Sequence, residues 1–433
     1  MKLSLKNIGK IGTASVEING ITVIAGENNT GKSTVGRALF AVFNSFYNID
    51  KQIQRERIRS VENLIDFVHR ITLSNATFAV DVNEISKYIV SHIEQFKNNS
   101  AKLKTEIIRL FLQYDENFEK KLEMIKLDEV ICRIMDVLNV SDMELFQSVL
   151  EKKLEAEFNG QISNVFSDEN GEIRLQIKEK DLRITIEKDH VTHIQNSLGL
   201  HTEAIYIDDP FVLDEMQASS YRSFYGYVNH RSHLRRKLLF QQEDSNLVDE
   251  IVVNNKLDRI YSKITSVCSG DVVKNSRSGF GYRKSGSDKV LDVRNLSTGL
   301  KTFVILKMLL QNGVLEYNGT IILDEPEIHL HPEWQLLFAE LIVLIHKEFG
   351  MHILLNTHSP YFLNAIEVYA AKYGVDDTCK YYLTRIENDS CSLDDVTNHV
   401  EAIYSKLARP LQKTGDKKDD TNYPGKTTNH PYI

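Results

Sequence analysis

Gly26, Gly31, Lys32 and Ser33 stand in the order G-x-x-x-x-G-K-S within the stretch AGENNTGKSTVGRALF, residues 25–40. A turn of this composition aims backbone N–H groups at phosphate oxygens, at the positive end of the helix that follows it. Lys32 then reaches the β- and γ-phosphates of a nucleotide, and the Ser33 hydroxyl is a ligand for Mg²⁺. Asn28, Asn29, Thr30 and Thr34 complete the expected phosphate contacts. Asn29 takes a place that many such loops give to glycine; asparagine tolerates the left-handed conformation better than most residues.

Three further groups carry chemistry. In Thr320-Ile321-Ile322-Leu323-Asp324-Glu325-Pro326 a β-branched run delivers two successive carboxylates. At the C-terminal end of a parallel strand Asp324 would hold Mg²⁺, directly or through water, and Glu325 would orient and deprotonate an attacking water. His358, in MHILLNTHSP, follows a second apolar run and as a donor could steady a γ-phosphate. Ser297 and Gly299, in NLSTGLKTF, put a hydroxyl and bare N–H groups at a helix start. That is either a second anion site or an ordinary N-cap, and the residues alone do not separate the two.

The elements that must position these groups can be read from periodicity. Residues 20–25 form a strand before the phosphate loop, and 33–40 begin a helix. Strand 320–323, helix 332–349 and strand 351–356 make a parallel βαβ unit. From about 50 to 159 apolar residues recur at helical spacing, with breaks near 98–100 and 139–142; no sustained heptads suggest a long coiled coil. Short alternating runs at 172–177 and 182–186 predict an antiparallel meander, and 204–207 another strand. Glycine, serine and charge at 269–288 predict an exposed loop, followed by a helix over 296–310. A strand pair near 380–393, a helix over 398–412 and a disordered polar tail from 413 close the chain.

The expected division is an N-terminal lobe (1–48), a helical insertion (49–160), the meander (161–209), a helical and loop region (210–290), a C-terminal lobe (291–412) and the tail (413–433). The net charge of -8 argues against coating nucleic acid by bulk electrostatics, so any such contact must be local. MKLSLKNIGK lacks a signal-peptide core, and no apolar run suffices to cross a bilayer, which places the protein in the cytoplasm. Four cysteines without C-x-x-C pairing suggest neither zinc nor a disulfide framework. The basic run Asn229 to Lys237 lacks paired carboxylates for a two-metal site and reads as a solvated helix face or a phosphate patch.

Taken together, GENNTGKST, LSTG, ILDEPEIHLHPEWQ and the His358 segment resemble an ABC-type ATPase head of the RecF, SMC and OLD group, over roughly residues 1–45 and 290–365. Glu327, His329, His331 and Pro332 are characteristic of the OLD-like branch, whereas Thr298 replaces a glycine of the usual LSGG signature. The resemblance implies an α/β P-loop head with a mixed or parallel sheet, ATP and Mg²⁺ as cofactors, and a homodimer closed head to tail. In that dimer Ser297 of one chain contacts the nucleotide held by Lys32 of the other. It also implies either a defence-type ATPase governing a nuclease or toxin partner, or a RecF-like clamp on DNA. No TOPRIM nuclease segment is expected after Pro360, so the chain itself is not expected to cut nucleic acid.

Overall fold

The computed structural model describes residues 1–72, 81–114, 118–120, 126–216, 229–239, 258–275, 279–387 and 389–408. The expected tail (413–433) and parts of the 210–290 region lie outside these. Eleven strands form one mixed sheet in the order β6-β5-β4-β1-β2-β14-β13-β3-β12-β11-β7. Five neighbouring strands run parallel: β7 (Ala204–Ile207), β11 (Thr320–Asp324), β12 (His352–Thr357), β3 (Ile21–Ala25) and β13 (Lys380–Glu387). β3, β7 and the first four residues of β11 are buried throughout, as continuous apolar runs covered on both faces must be.

The predicted βαβ unit is present, its helix Pro332–Phe349 opening on proline and ending at Gly350 with φ 63°. Helix Pro360–Tyr373 repeats the device: the Ser359 side chain accepts from the N–H of Phe362, and Gly374 stops the helix with φ 66°. Both helices fill the core that covers one face of the parallel strands, with Phe338, Leu341, Phe362 and Ile366 fully inside it.

The meander, β4 (Gly171–Ile177), β5 (Lys180–Glu187) and β6 (His190–Gln195), is antiparallel as expected. It joins the main sheet through β1 (Lys2–Ile8), which also pairs with β2 (Ile11–Glu17). β1 and β2 have no counterpart in the sequence reading. β14 (Ser390–Asp395) pairs with β13 as the expected C-terminal hairpin. A short helix follows at 401–408.

Contacts divide the chain into two compact units, one built from the described residues of 1–44, 153–198 and 202–433, the other from those of 45–152 and 199–201. The described residues of the second are mainly helical, including Ile49–Thr72, Val82–Ser91, Ser100–Leu112 and Leu127–Asn139. Its own core includes Val61, Ile65, Ile89, Leu103, Ile107 and Ile134. Asn99 caps Ser100–Leu112 with its side chain, at the predicted break.

Two expectations are corrected. Much of residues 269–288 is no loop: β8 (Asp271–Asn275), β9 (Gly279–Arg283) and β10 (Val290–Asp292) form a separate antiparallel sheet. Phe280 and Tyr282 are buried, and the Tyr282 hydroxyl accepts from Gly270 N–H at 2.7 Å. A Cβ on Gly281 would lie 2.2 Å from Val290 Cγ1, so this glycine marks close strand approach.

The basic run, on helix His230–Leu239, is also no solvated face. His230 and His233 are buried, Arg231 pairs with Asp208 at 2.8 Å, and Lys237 pairs with Glu203 at 2.8 Å. Carboxylates just before and just after neighbouring β7, Glu203 and Asp208, take up charge that a phosphate patch would need.

Candidate functional site

β3 runs between β12 and β13 and ends at Gly26, whose φ is 156°. A Cβ there would lie 1.8 Å from Thr384 Oγ1 on β13, and one on Gly31 (φ 78°) would lie 2.6 Å from Ile11 Cδ1. Asn29 has φ 65°, the left-handed conformation its side chain tolerates. Thr30 Oγ1 donates to Glu27 O at 2.7 Å, and helix Lys32–Phe46 begins immediately beyond the loop. Lys32 is 4% exposed; its Nζ donates to Gly26 O at 3.0 Å and to Glu27 O at 2.8 Å. The ammonium is thus held over its own loop. We expect Gly26→Ala to destabilise the protein by about 1–3 kcal/mol. A lowered thermal midpoint, partly recovered by adding Thr384→Ala, checks this.

Asp324 ends β11. The Tyr206 hydroxyl donates to its Oδ2 at 2.8 Å and Asn356 Nδ2 to its Oδ1 at 3.0 Å. Glu325 then turns sharply, with φ 50°, its N–H donating to Asn356 O at 2.9 Å. A left-handed glutamate costs on the order of 1 kcal/mol or more and persists only where its surroundings enforce it. The turn sends the carboxylate to Lys32: Oε1 lies 3.3 Å from Nζ and 3.4 Å from His358 Nδ1. Lys32, Glu325 and His358 therefore meet from beyond the ends of β3, β11 and β12.

Ser33 and Asp324 offer a hydroxyl and a carboxylate, the hard oxygen donors that magnesium takes. Buried Asn356 Oδ1, on the same amide that holds Asp324, has no hydrogen-bond partner among the described residues, an unmet acceptor that a metal-bound water could satisfy. The donor set fits the ion.

A cavity of about 500 Å³ opens over the loop, walled by Asn29 to Thr34 and Glu325 and, from another segment, by Gly9, Phe158 and Phe166. Ser297 and Gly299 do not line it. They stand at the start of helix Thr298–Gln311, where exposed Ser297 occupies the N-cap position without a side-chain cap bond. A Cβ on Gly299 would lie 2.8 Å from His329 O, which is a packing reason for that glycine.

A family model described as "AAA domain, putative AbiEii toxin, Type IV TA system" matches residues 21–364, a span that covers the phosphate loop, the Asp324–Glu325 pair and His358. This chain belongs to that AAA-domain family. Septu protein PtuA of Bacillus thuringiensis is 27% identical over 42% of this chain and 47% of its own length. An OLD nuclease of Thermus scotoductus is 26% identical over 34% of this chain and 33% of its own. The match thus spans less than half the length of either relative. An SMC head bound to the C-winged helix domain of ScpA aligns over 91% of this chain and 96% of its own, with 10% identity and a TM-score of 0.44.

Some residues of this AAA domain's site had no role in the sequence reading. Glu327 is 2% exposed, and burial raises its carboxyl pKa above the usual range. Thr357 Oγ1 donates to Glu327 Oε1 at 2.5 Å and accepts from Ser359 N–H at 3.0 Å, bracketing His358. Tyr206 is buried, and burial with the nearby Asp324 charge keeps its phenol protonated as the donor.

Against Tyr206 stacks His230, ring centroids 4.3 Å apart. Its Nδ1 lies 2.7 Å from Glu157 and its Nε2 3.0 Å from Asp208. Burial alone would lower its pKa; hydrogen bonds to the two carboxylates outweigh this and raise it to about 9. A histidine raised in the fold stabilises fully below its ordinary value near 6.5 and ceases to do so as pH climbs through about 9. We expect the protein to lose on the order of 3 kcal/mol across that window. In denaturant titrations at successive pH values, His230→Gln should flatten the decline.

Proposed function

We propose that the protein binds and hydrolyses ATP, closes head to tail with a second copy, and by that motion governs a protein effector, a nuclease or toxin, in anti-phage defence. The convergence of Lys32, Glu325 and His358 at one phosphate loop carries the reading. With nucleotide present, Lys32 exchanges Glu325 for the β- and γ-phosphates, and the carboxylate is released to orient and deprotonate water. His358, beside that carboxylate, donates to the γ-phosphate. Bound Mg²⁺, held by Ser33 and Asp324, would neutralise phosphate charge. Tyr206 and Asn356 keep Asp324 aimed.

Exposed Ser297, its hydroxyl unused by the helix cap, is available to reach the γ-phosphate held by the partner chain. The Septu and OLD relatives, together with the toxin description of the family, favour defence over DNA maintenance. The test is to purify the chain alone and with the product of its neighbouring gene. Alone it should release phosphate from ATP and cut neither DNA nor RNA. An effector whose activity is the same with ATP, without ATP and beside Glu325→Gln would refute the control proposed.

A further inference from the structure

Two adjacent apolar side chains, Val165 and Phe166, are 61% and 58% exposed and line the cavity over the phosphate loop. The backbone that displays them is firmly held. Gly9 N–H donates to Ile162 O at 2.8 Å, and Asn164 N–H donates to Asn7 O at 3.0 Å. Asp189 Oδ1 accepts from the N–H groups of both Ile162 and Ser163, at 2.8 and 2.7 Å. The Asn164 side chain, 2% exposed, accepts from Phe166 N–H at 2.9 Å and donates to Ser390 Oγ at 3.2 Å. A loop this well pinned buries Ile162 yet leaves Val165 and Phe166 facing open space, where water hydrates them poorly.

The direction of the loop identifies what they face. Lys32 and Glu325 mark the γ-phosphate side, because the lysine of such a loop reaches the β- and γ-phosphates while the backbone cradles the α and β. The other side is marked by Thr34, whose Cγ2 would lie 3.0 Å from a Cβ on Gly9; Phe158 would lie 3.7 Å from the same point. Gly9 is the residue that anchors the 162–166 loop. The apolar wall therefore continues from the α-phosphate side, where the sugar and base of a nucleotide must lie. Asn159 and Gln161, exposed in the same wall, provide amides of the type that pairs with a purine edge.

Resting on the phosphate-loop reading above, we infer that Phe166, backed by Val165, is the platform on which the base of a purine nucleoside triphosphate stacks. A planar ring on a preset aromatic gains affinity without ordering the loop. The chain's own return from its helical insertion thereby supplies base recognition, while the phosphate loop supplies none.

The experiment is calorimetric titration of the full chain with AMPPNP and, separately, with inorganic tripolyphosphate, both with Mg²⁺. Phe166→Ala should bind AMPPNP about tenfold more weakly, leave tripolyphosphate within about twofold, and keep the wild-type thermal midpoint. Phe166→Tyr should restore AMPPNP binding. Unchanged AMPPNP affinity in Phe166→Ala, or an equal loss for both ligands, overturns the inference. Lys32→Ala separates the two layers: it should lose both ligands, and if it binds both like wild type, the phosphate-loop reading itself fails, whatever Phe166 does.

Discussion

Glu325→Gln should bind ATP at least as well as the unmodified protein and hydrolyse it about 10²- to 10⁴-fold more slowly. The amide keeps the size of the side chain but cannot take a proton from water. It also removes the carboxylate that lies 3.3 Å from Lys32 Nζ, so the ammonium meets phosphate without first giving up an ion partner. Steady-state phosphate release and nucleotide titration separate the two effects. Because closure is proposed to outlast binding only until hydrolysis, the variant should accumulate as an ATP-dependent dimer, visible by light scattering. Hydrolysis at the wild-type rate would remove Glu325 from the role of base.

The second large effect concerns two inactive variants mixed together. Lys32→Ala abolishes the phosphate grip of its own chain, and Ser297→Arg blocks the surface offered to a partner. Each alone should hydrolyse ATP at least a hundredfold more slowly, on the scale of losing one charge-stabilising donor. In a mixed pair one composite site has both defects and the other has neither. At random pairing half the dimers are mixed and one site in two is intact, so the rate should recover to about a quarter of wild type. Absence of recovery at any ratio would show that Ser297 does not act across chains. The position of Ser297, exposed and outside the cavity that holds Lys32, motivates the design.

How much of this was legible in the sequence depended on whether the signal was local. The phosphate loop, the acidic pair after β11 and the βαβ unit were readable because strand, turn and helix succeed one another within a few residues. The breaks before Ser100 and near Asn139 were readable for the same reason. β8 to β10 were missed because glycine and serine composition outweighed Phe280 and Tyr282, whose burial depends on residues elsewhere in the chain. Lys301, on the helix after Ser297, gave no local signal. It is 1% exposed and pairs with Asp214 at 2.6 Å, a partner that no spacing rule supplies. The same holds for Tyr206 and Asp324, distant in sequence and joined by one hydrogen bond. The histidines of the basic run looked solvated because Glu157, Glu203 and Asp208 reach them from other elements.

β3, all five of its residues buried, hydrogen-bonds on one edge to Ile353–Thr357 and on the other to Lys380–Leu383. A ribosome makes the two neighbours of this strand more than three hundred residues after the strand itself, roughly 15 to 65 s later at ordinary rates of synthesis. Throughout that interval the segment is an apolar strand with both edges open, the state most prone to pair with the wrong chain. Glu325 and His358, which meet at the Lys32 site, are made almost as late, so the nucleotide site too is incomplete in that interval. Production of this protein should therefore be limited by late-closing topology, and holding the nascent chain apart from its neighbours should matter more to yield than supplying ATP.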